Sequence, residues 1–424
     1  MCHYPFLILT GMKKYVDDAL EQGWVSTGGA YITRLEQQLA EFLKVDRAAA
    51  CQSGTSGLHL ALVECGVQPG DMVIVPALTF IAAVNPVRYQ FAEPVFMDCD
   101  ESLCLDPEKL AEFCEKECKL EAQQLVHKKS GRVVKAVIVV HVFGNLADME
   151  AIMSIAGEYH LKVVEDATEA LGSHYTAGKL AGRYAGTIGD FGVYSFNGNK
   201  IITTGGGGAV TARCADEVEH LKYLSTQAKD DPQFYIHNEI GYNYRMTNLQ
   251  AALGVAQMEE LQQFIETNTG IIFCIRNDFG RFLLEHCSRF GGTCSNQWFY
   301  SLQLREDRLQ GKDMRDIIGA LQERGVQTRA IWGLIHEQKP YRQNIAYKIE
   351  KAPLLQCDCF KYSEQHAADR RGYLLCGGTD NGSFGRRRRV IFHWRDFMKK
   401  NVLLFSHQMK VGGARRYCAK WERF

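Results

Sequence analysis

The sequence has no apolar run of the roughly 20 residues that a membrane-spanning helix needs. Its longest candidate, Val137–Phe143, has the length of a strand and is interrupted by His141. The first residues contain no basic segment and no small-residue cleavage site, so we do not expect a secretory signal. These observations predict a cytoplasmic protein without a membrane partner.

The chain also lacks net charge and a disulfide framework. Its 49 Lys and Arg balance 49 Asp and Glu, which gives no overall attraction to nucleic acid. The 15 cysteines are scattered and odd in number, a pattern typical of reduced, buried thiols. Only Cys357 and Cys359 are close in sequence, and because no second pair accompanies them we expect no metal site.

Short apolar runs alternate with helical patterns between residues 53 and 212. Helical patterns include Pro107–Leu125 and Met149–Tyr159. The apolar runs have the length of buried strands: Met72–Pro76, Pro94–Met97, Val134–Val142, Leu161–Glu165 and Phe191–Ser195. This order predicts an α/β fold with a mostly parallel sheet between helices and ligands at the carboxyl ends of its strands.

The rest of the chain divides into two further segments. A long helical pattern from Asn248 to Glu285 precedes a smaller strand–helix group, formed by Gln297–Leu304, Met314–Arg324 and Gln327–Trp332. We therefore predict a large domain over residues 12–250, a smaller C-terminal α/β domain over residues 251–353 that begins with the long helix, and an atypical tail over residues 354–424.

The tail differs from the rest of the chain in charge. From Lys351 to the end, 16 Lys and Arg stand against 6 Asp and Glu, and Arg386–Arg389 are consecutive. Our hypothesis is a shifted reading frame near residue 354, which would leave the tail without an evolved, ordered fold. The alternative is a genuine basic extension that binds nucleic acid or a protein partner.

Two polar segments of the large domain are candidates for ligand binding: one begins a predicted helix, and the other follows a predicted strand. Cys51–Gly57 opens a helix whose free N–H groups suit a phosphate, although an ordinary Ser-capped helix start is the alternative. Asp166 follows a predicted buried strand, where its carboxylate could pair with a protonated ring nitrogen. The alternative for Asp166 is a helix N-cap.

Two more segments complete the pattern. Lys200 lies beyond a strand in the apolar, glycine-rich stretch Gly189–Gly208, and burial among neutral groups disfavours an ammonium, as a Schiff-base amine requires. A surface lysine is the alternative. Ile240–Gly254 opens the long helix and alone is only a helix start. His141, at a strand end, is interpreted as a hydrogen-bonded core histidine rather than a pocket residue.

In this order, SGTSGLHLAL, EDATEALGS, SFNGNKIITTGGGG and GYNYRMTNLQAALG resemble the signatures of the DegT/StrS-type sugar-nucleotide aminotransferases. WVSTGGAYITRLEQQLAEFL and TRAIWGLIHEQKPY extend the similarity over residues 12–350. The resemblance implies an aspartate-aminotransferase-like fold, fold type I, with pyridoxal 5'-phosphate (PLP) as cofactor. Within the family the sequence is most similar to the LegC-like branch of the legionaminic acid pathway.

The resemblance also implies residue roles and a homodimer with shared active sites. Lys200 would hold PLP covalently and later move a proton between carbon atoms, and Asp166 would pair with the pyridine nitrogen. Further cofactor-binding residues are implied: Glu169 near the ring hydroxyl, Phe80 on the ring face, Gly54, Thr55 and Ser195 at the phosphate, Asn197, and Asn243 at the cofactor phosphate of the neighbouring subunit.

The implied reaction moves an amino group from an amino acid, by analogy glutamate, to a nucleotide-linked keto sugar. By the same resemblance the acceptor is a UDP-4-keto-6-deoxy-N-acetylhexosamine used for cell-surface polysaccharide or nonulosonate biosynthesis. A PLP-dependent sugar dehydratase is one alternative, against which Lys200 counts because the resemblance implies histidine there. A catalytically impaired or regulatory PLP-binding protein is the other.

Overall fold

A computed structural model describes residues 6–279, 283–285, 291–304, 314–323 and 328–362. Its helices are α1 Phe6–Glu21, α2 Ala30–Leu43, α3 Gly54–Glu64, α4 Asn85–Tyr89, α5 Pro107–Glu117, α6 Met149–Tyr159, α7 Ala215–Ser225, α8 Asn248–Phe279, α9 Met314–Glu323 and α10 Lys351–Asp358. Its strands are β1 Ala49–Cys51, β2 Met72–Pro76, β3 Glu93–Met97, β4 Cys118–Glu121, β5 Gln124–His127, β6 Val133–Val140, β7 Lys162–Asp166, β8 His174–Tyr175, β9 Phe191–Ser195, β10 Gly208–Ala212, β11 Leu283–Glu285, β12 Thr293–Cys294, β13 Tyr300–Leu304, β14 Thr328–Ala330, β15 Ala346–Tyr347 and β16 Cys359–Tyr362.

A ten-stranded sheet forms the core of the chain. Its order is β1-β10-β9-β7-β6-β2-β3-β15, with β5 and β4 attached beside β6. The strands from β9 to β15 are parallel, whereas β1, β10, β4 and β5 pair antiparallel. Strand β2 is buried along its whole length, as expected for a sheet covered on both faces. All five predicted strands lie in this sheet.

Side-chain caps fix where the helices that cover this sheet begin. The Ser53 hydroxyl accepts a hydrogen bond of 3.0 Å from the Ser56 N–H at the start of α3. At α5, the Asp106 carboxylate accepts one of 2.8 Å from the Glu108 N–H. Each cap satisfies an N–H group that has no partner inside its own helix.

Two helical predictions are too long at their C-terminal ends. The predicted helix Pro107–Leu125 ends at Glu117, because β4 and β5 form a hairpin there. Ala122 and Gln123 join them with φ angles of 47° and 63°, and a two-residue turn with both φ angles positive matches the twist of paired strands. The predicted helix from Asn248 to Glu285 ends at Phe279, and residues 283–285 form β11.

A second, antiparallel sheet has the order β11-β13-β16-β14; three of its strands lie in the predicted smaller domain, and β16 lies in the predicted tail. Strand β15 pairs instead with β3 of the large sheet. Beside it, the Asp98 carboxylate accepts hydrogen bonds from the N–H groups of Lys351 and Ala352 at the start of α10. The chain therefore returns to the large sheet before residue 353, and the division into domains at residues 250 and 353 stays a prediction.

The predicted tail begins inside α10, and its residues 359–362 form β16, which pairs with β13 and β14. The arginine run and the rest of the tail lie outside the described residues. Within the described ranges, no helix is long and apolar enough to span a membrane. The same ranges contain no group of three or more side chains arranged to hold a metal ion.

Candidate active site

A cavity of about 650 Å³ opens at the carboxyl ends of the central parallel strands. Val140, Asp166 and Ser195 line it, and they are the last residues of β6, β7 and β9. The first residues of α3 complete this side of the wall. The cavity thus lies where parallel sheets bind their ligands.

Most residues of the predicted site meet in this cavity. Asn243 does not line it and is exposed beside Thr226, with which it forms an isolated bridge. Its predicted role concerns a neighbouring subunit and stays a prediction. The other eight predicted residues all line the cavity: Gly54, Thr55, Phe80, Asp166, Glu169, Ser195, Asn197 and Lys200.

Lys200 has only 13% of its side chain exposed. Its Nζ lies 3.6 Å from Glu169 Oε1 and 4.2 Å from the centroid of the Trp298 ring. The surroundings are therefore not the neutral ones that the sequence predicts, because a carboxylate and an aromatic face both attract a cation. These two contacts hold the amine in one place, as an amine that bonds to a cofactor and transfers protons requires.

Asp166 ends β7 and is 3% exposed. Burial raises the pKa of its carboxyl, while hydrogen bonds from Thr168 and the charge of Lys200 lower that pKa by smaller amounts. No helix follows Asp166, so the N-cap interpretation is wrong. A buried carboxylate is costly unless a cation stands beside it, and a protonated pyridine nitrogen is such a cation.

The start of α3 forms the third part of the cavity wall. Gly54 and Thr55 are its first residues, and the first N–H groups of a helix have no carbonyl partner within it. A Cβ on Gly54 would lie 2.8 Å from Thr168 Cγ2 and 2.9 Å from Ser195 Cβ, so only glycine fits this close approach. N–H groups at the positive end of a helix suit a phosphate. Amine, carboxylate and helix end together fit PLP.

The close packing at Gly54 predicts the effect of Gly54→Ala. We expect the added methyl group to displace α3 from Ser195, to cost about 1–3 kcal/mol of folding free energy, and to weaken retention of the cofactor phosphate. Dialysis followed by measurement of bound PLP tests this. Gly157→Ala is the matched control, because nothing lies within 4 Å of the added atom. Equal cofactor retention in both variants would contradict the phosphate assignment.

His141 lies behind Asp166 and is fully buried. Its Nε2 lies 2.8 Å from Glu165 Oε2, and its Nδ1 accepts a hydrogen bond of 3.3 Å from the Ala147 N–H. Burial raises the pKa of Glu165, but the hydrogen bond with His141 and further N–H donors bring it below its ordinary value. Both ring nitrogens are thus engaged inside the protein, which confirms the core interpretation.

Another part of the cavity lining comes from residues that the sequence analysis did not assign to the site. They are Trp298, Phe299, Arg329 and Trp332. Their segments were included among the predicted strands and the family signatures, but no spacing indicated that these side chains face the cofactor region. Three aromatic side chains and one guanidinium therefore line the cavity, and one of the aromatic rings, Trp298, contacts Lys200.

Asn296 connects this aromatic segment to the loop of Glu169. Its fully buried Nδ2 donates hydrogen bonds of 3.0 Å to the carbonyl oxygens of Glu169 and Leu171. Its Oδ1 accepts a hydrogen bond of 3.0 Å from the Trp298 N–H. Asn296 is therefore a positioning residue that fixes the distance between the Lys200 neighbours Glu169 and Trp298.

Asn296→Ala should loosen this connection. We expect a loss of about 1–3 kcal/mol of stability, because two buried carbonyls lose their donor, together with a lower kcat. Thermal unfolding and steady-state kinetics measure the two effects. Asn344→Ala is the control, since it removes a half-buried amide that binds Glu93 outside the cavity. Unchanged kcat in the Asn296 variant would show that Asn296 has no positioning role.

Comparison with known proteins connects this geometry to a family. A family model described as the DegT/DnrJ/EryC1/StrS aminotransferase family matches residues 9–357. The chain belongs to this family. EpsN of Bacillus subtilis (strain 168) is 35% identical to this chain over 389 residues, and its name assigns it provisionally to the PLP-dependent aminotransferases. The aligned residues are 90% of this chain and 92% of that protein.

Further relatives and solved structures agree. GDP-perosamine synthase of Caulobacter vibrioides is 34% identical over 78% of this chain and 83% of its own. The crystal structure of a DegT/DnrJ/EryC1/StrS aminotransferase from Brucella abortus matches with a TM-score of 0.76 at 23% identity, covering 88% of this chain and 95% of that one. The predicted fold class, the PLP cofactor and the enzyme class are confirmed: this family member is a PLP-dependent sugar aminotransferase.

Proposed function

We propose that this aminotransferase carries an amino group from glutamate to the ketone of a nucleotide-linked sugar, for cell-surface polysaccharide biosynthesis. The observation that carries the proposal is the convergence of Lys200, Asp166 and the start of α3 on one cavity. When bound there, PLP would serve as an electron sink while the amino group is exchanged. The cavity volume of about 650 Å³ lies within the range of sites that bind small molecules.

Each residue of this cavity would have its own role in binding the cofactor or in transferring protons. Lys200 would bond to the cofactor and carry the proton at its Nζ, held in position by Glu169, which would also approach the ring hydroxyl. Asp166 would keep the ring nitrogen protonated. Phe80, which is 54% exposed at the cavity, would cover the ring face. The phosphate would bind at the start of α3, to Gly54 and Thr55, and at Ser195 at the end of β9. Asn197 would be a further cofactor-binding residue.

We further propose a homodimer in which Asn243 reaches the cofactor phosphate of the second copy. The loop that precedes Asn243 exposes large apolar side chains, with Phe234 70%, Tyr235 71% and Ile240 85% exposed. Clustered apolar exposure of this size is typical of a surface covered by a partner. We also propose a cytoplasmic location, since the eight cysteines with described side chains are all free and six are buried.

The acceptor that we propose is a UDP-linked 4-keto-6-deoxy-N-acetylhexosamine of the legionaminic type, as the LegC-like signatures imply. A GDP-linked keto sugar is the second candidate, because GDP-perosamine synthase is 34% identical to this chain. A panel of UDP-, GDP- and dTDP-linked keto sugars, incubated with the PLP-loaded protein and glutamate, separates them. We expect an amino sugar by mass spectrometry from the UDP compound; an amine from the GDP compound alone favours the second candidate, and none from any contradicts the proposal.

A further inference from the structure

The amine of Lys200 lies against the face of one cavity tryptophan. Its Nζ is 4.2 Å from the centroid of the Trp298 ring, and Trp298 is buried. A free lysine amine normally carries a positive charge near neutral pH, and an aromatic face attracts such a charge most strongly where water is excluded. The Trp298 ring therefore offers a binding position to the Lys200 amine while that amine is not bonded to the cofactor.

Two hydrogen bonds hold Trp298 in this position. The indole Nε1–H donates a hydrogen bond of 2.7 Å to the carbonyl oxygen of Asn199, the residue before Lys200. The backbone N–H of Trp298 donates one of 3.0 Å to Oδ1 of the buried Asn296. The ring is thus joined to the same stretch of backbone that carries Lys200, which keeps the ring close to the amine.

Glu169, the other neighbour of the amine, is engaged elsewhere as well. Its Oε1 lies 3.6 Å from Lys200 Nζ, which is longer than an ordinary hydrogen bond. Its Oε2 accepts a hydrogen bond of 2.8 Å from the Phe143 N–H. In the proposed function Glu169 also approaches the ring hydroxyl of the cofactor. Because Glu169 would have this second role, the Trp298 ring would be the contact that remains for a released amine.

Amino transfer needs the Lys200 amine in two states. It would be bonded to PLP at the start, and it would be released when the amino donor takes its place. We propose that the Trp298 ring receives the released amine and so shifts the balance from the bonded toward the released state. Trp298 is then a positioning residue that acts through Lys200. This inference rests on the role of Lys200 in the proposed function.

Competition between two cofactor forms tests the proposal. PLP consumes the Lys200 amine when it bonds, whereas pyridoxamine phosphate has no aldehyde and leaves the amine free. In the wild type, PLP must therefore break the contact between amine and ring, and pyridoxamine phosphate keeps it. Trp298→Leu removes this difference. We expect the ratio of the pyridoxamine phosphate Kd to the PLP Kd to rise by about 5- to 30-fold, as the loss of a cation–π contact in a site with little water predicts.

The PLP-loaded full-length protein is dialysed at about pH 8 against fixed PLP and rising concentrations of pyridoxamine phosphate. The absorbance of bound PLP then gives the ratio of the two Kd values. Trp298→Phe keeps an aromatic face but loses the N–H donor to Asn199, so its ratio should lie between those of the wild type and Trp298→Leu. This milder variant also provides the test if the leucine variant does not fold.

Trp332→Leu is the matched control. It also removes an indole ring from the cavity lining, but this ring stacks on Phe143 with centroids 4.7 Å apart. General damage to the cavity would weaken both cofactor forms alike, so an unchanged ratio in the Trp298 variants, or an equal rise in Trp332→Leu, overturns the proposal. Wild-type PLP that does not bond to Lys200, as shown by reduction with borohydride, would contradict the proposed function itself and this inference with it.

Discussion

Lys200→Ala is expected to abolish amino transfer, with kcat lowered by at least about 10⁴-fold. The variant loses both the amine that would bond to the cofactor and the group that would move the proton. Because Lys200 packs between Glu169 and the Trp298 ring, alanine leaves a small gap in one wall and keeps the fold. The loss should therefore appear in kcat and not in thermal stability.

The measurement is amino-sugar formation from glutamate, followed by mass spectrometry, with bound PLP measured in the same samples. Asp166 and the start of α3 remain in the variant, so PLP should still bind without a covalent bond. Lys179→Ala is the control, because Lys179 lies in an exposed turn away from the cavity. Amino transfer retained by the Lys200 variant would refute the assignment and would favour a non-catalytic role for the cavity lysine.

Asp166→Asn should be the second most damaging change. The substitution keeps the shape and an oxygen that can accept the Thr168 N–H, but it removes the charge that would hold the ring nitrogen protonated. Removing one partner of a buried charge pair costs about 3–5 kcal/mol, which predicts a fall in kcat/KM of about 10²- to 10⁴-fold. Asp216→Asn, on the exposed first turn of α7, should leave kcat/KM unchanged.

Although Asp166→Asn should lower activity, it should not lower the thermal stability of the cofactor-free protein. Burial raises the pKa of the folded Asp166 carboxyl above its ordinary 3.8, so the unfolded chain releases this proton at lower pH. Ionisation then favours unfolding above about pH 4, and the penalty is complete above the folded pKa. At about pH 8 the Tm of Asp166→Asn should equal or exceed that of the wild type, and the difference should shrink as the pH falls.

A Tm of the cofactor-free variant well below that of the wild type at about pH 8 would contradict this account. It would show that the Asp166 charge stabilises the empty fold, for example through Lys200. With PLP bound the order should reverse, because the cofactor then supplies the cation that the carboxylate lacks. Thermal scans with and without PLP therefore separate a structural role of Asp166 from a cofactor-binding role.

The sequence identified the large sheet well because its strands are buried on both faces. Met72–Pro76 is apolar and buried throughout, and Phe191–Ser195 is buried except at its last residue. Such short runs between turn residues are too short for a typical helix and therefore indicate buried strands. The predicted helix wrongly included residues 118–125, which belong to a hairpin whose polar side chains are also common in helices. The return of β15 to β3 involves only two residues and has no periodic pattern to detect.

The cofactor side of the site was predictable because its residues follow strands in sequence and carry the family signatures. Asp166 and Ser195 end neighbouring strands, so the fold itself brings them together. The rest of the cavity lining was not predictable, because it depends on long-range packing. Asn296 joins Trp298 to the loop of Glu169, and Arg329 is placed by the pairing of β14 with β16. The sequence also placed Lys200 among neutral groups, because it could not show that Glu169 turns toward the amine.

The covalent bond between the cofactor and one lysine can be located directly. The PLP-loaded protein is reduced with borohydride, which makes the link permanent, then digested and mapped by mass spectrometry. We expect one phosphopyridoxyl group per chain on the peptide that contains Lys200, and none after prior removal of PLP. A label on another lysine, or a reduced protein without any label, would contradict the assignment of Lys200 as the lysine that holds the cofactor.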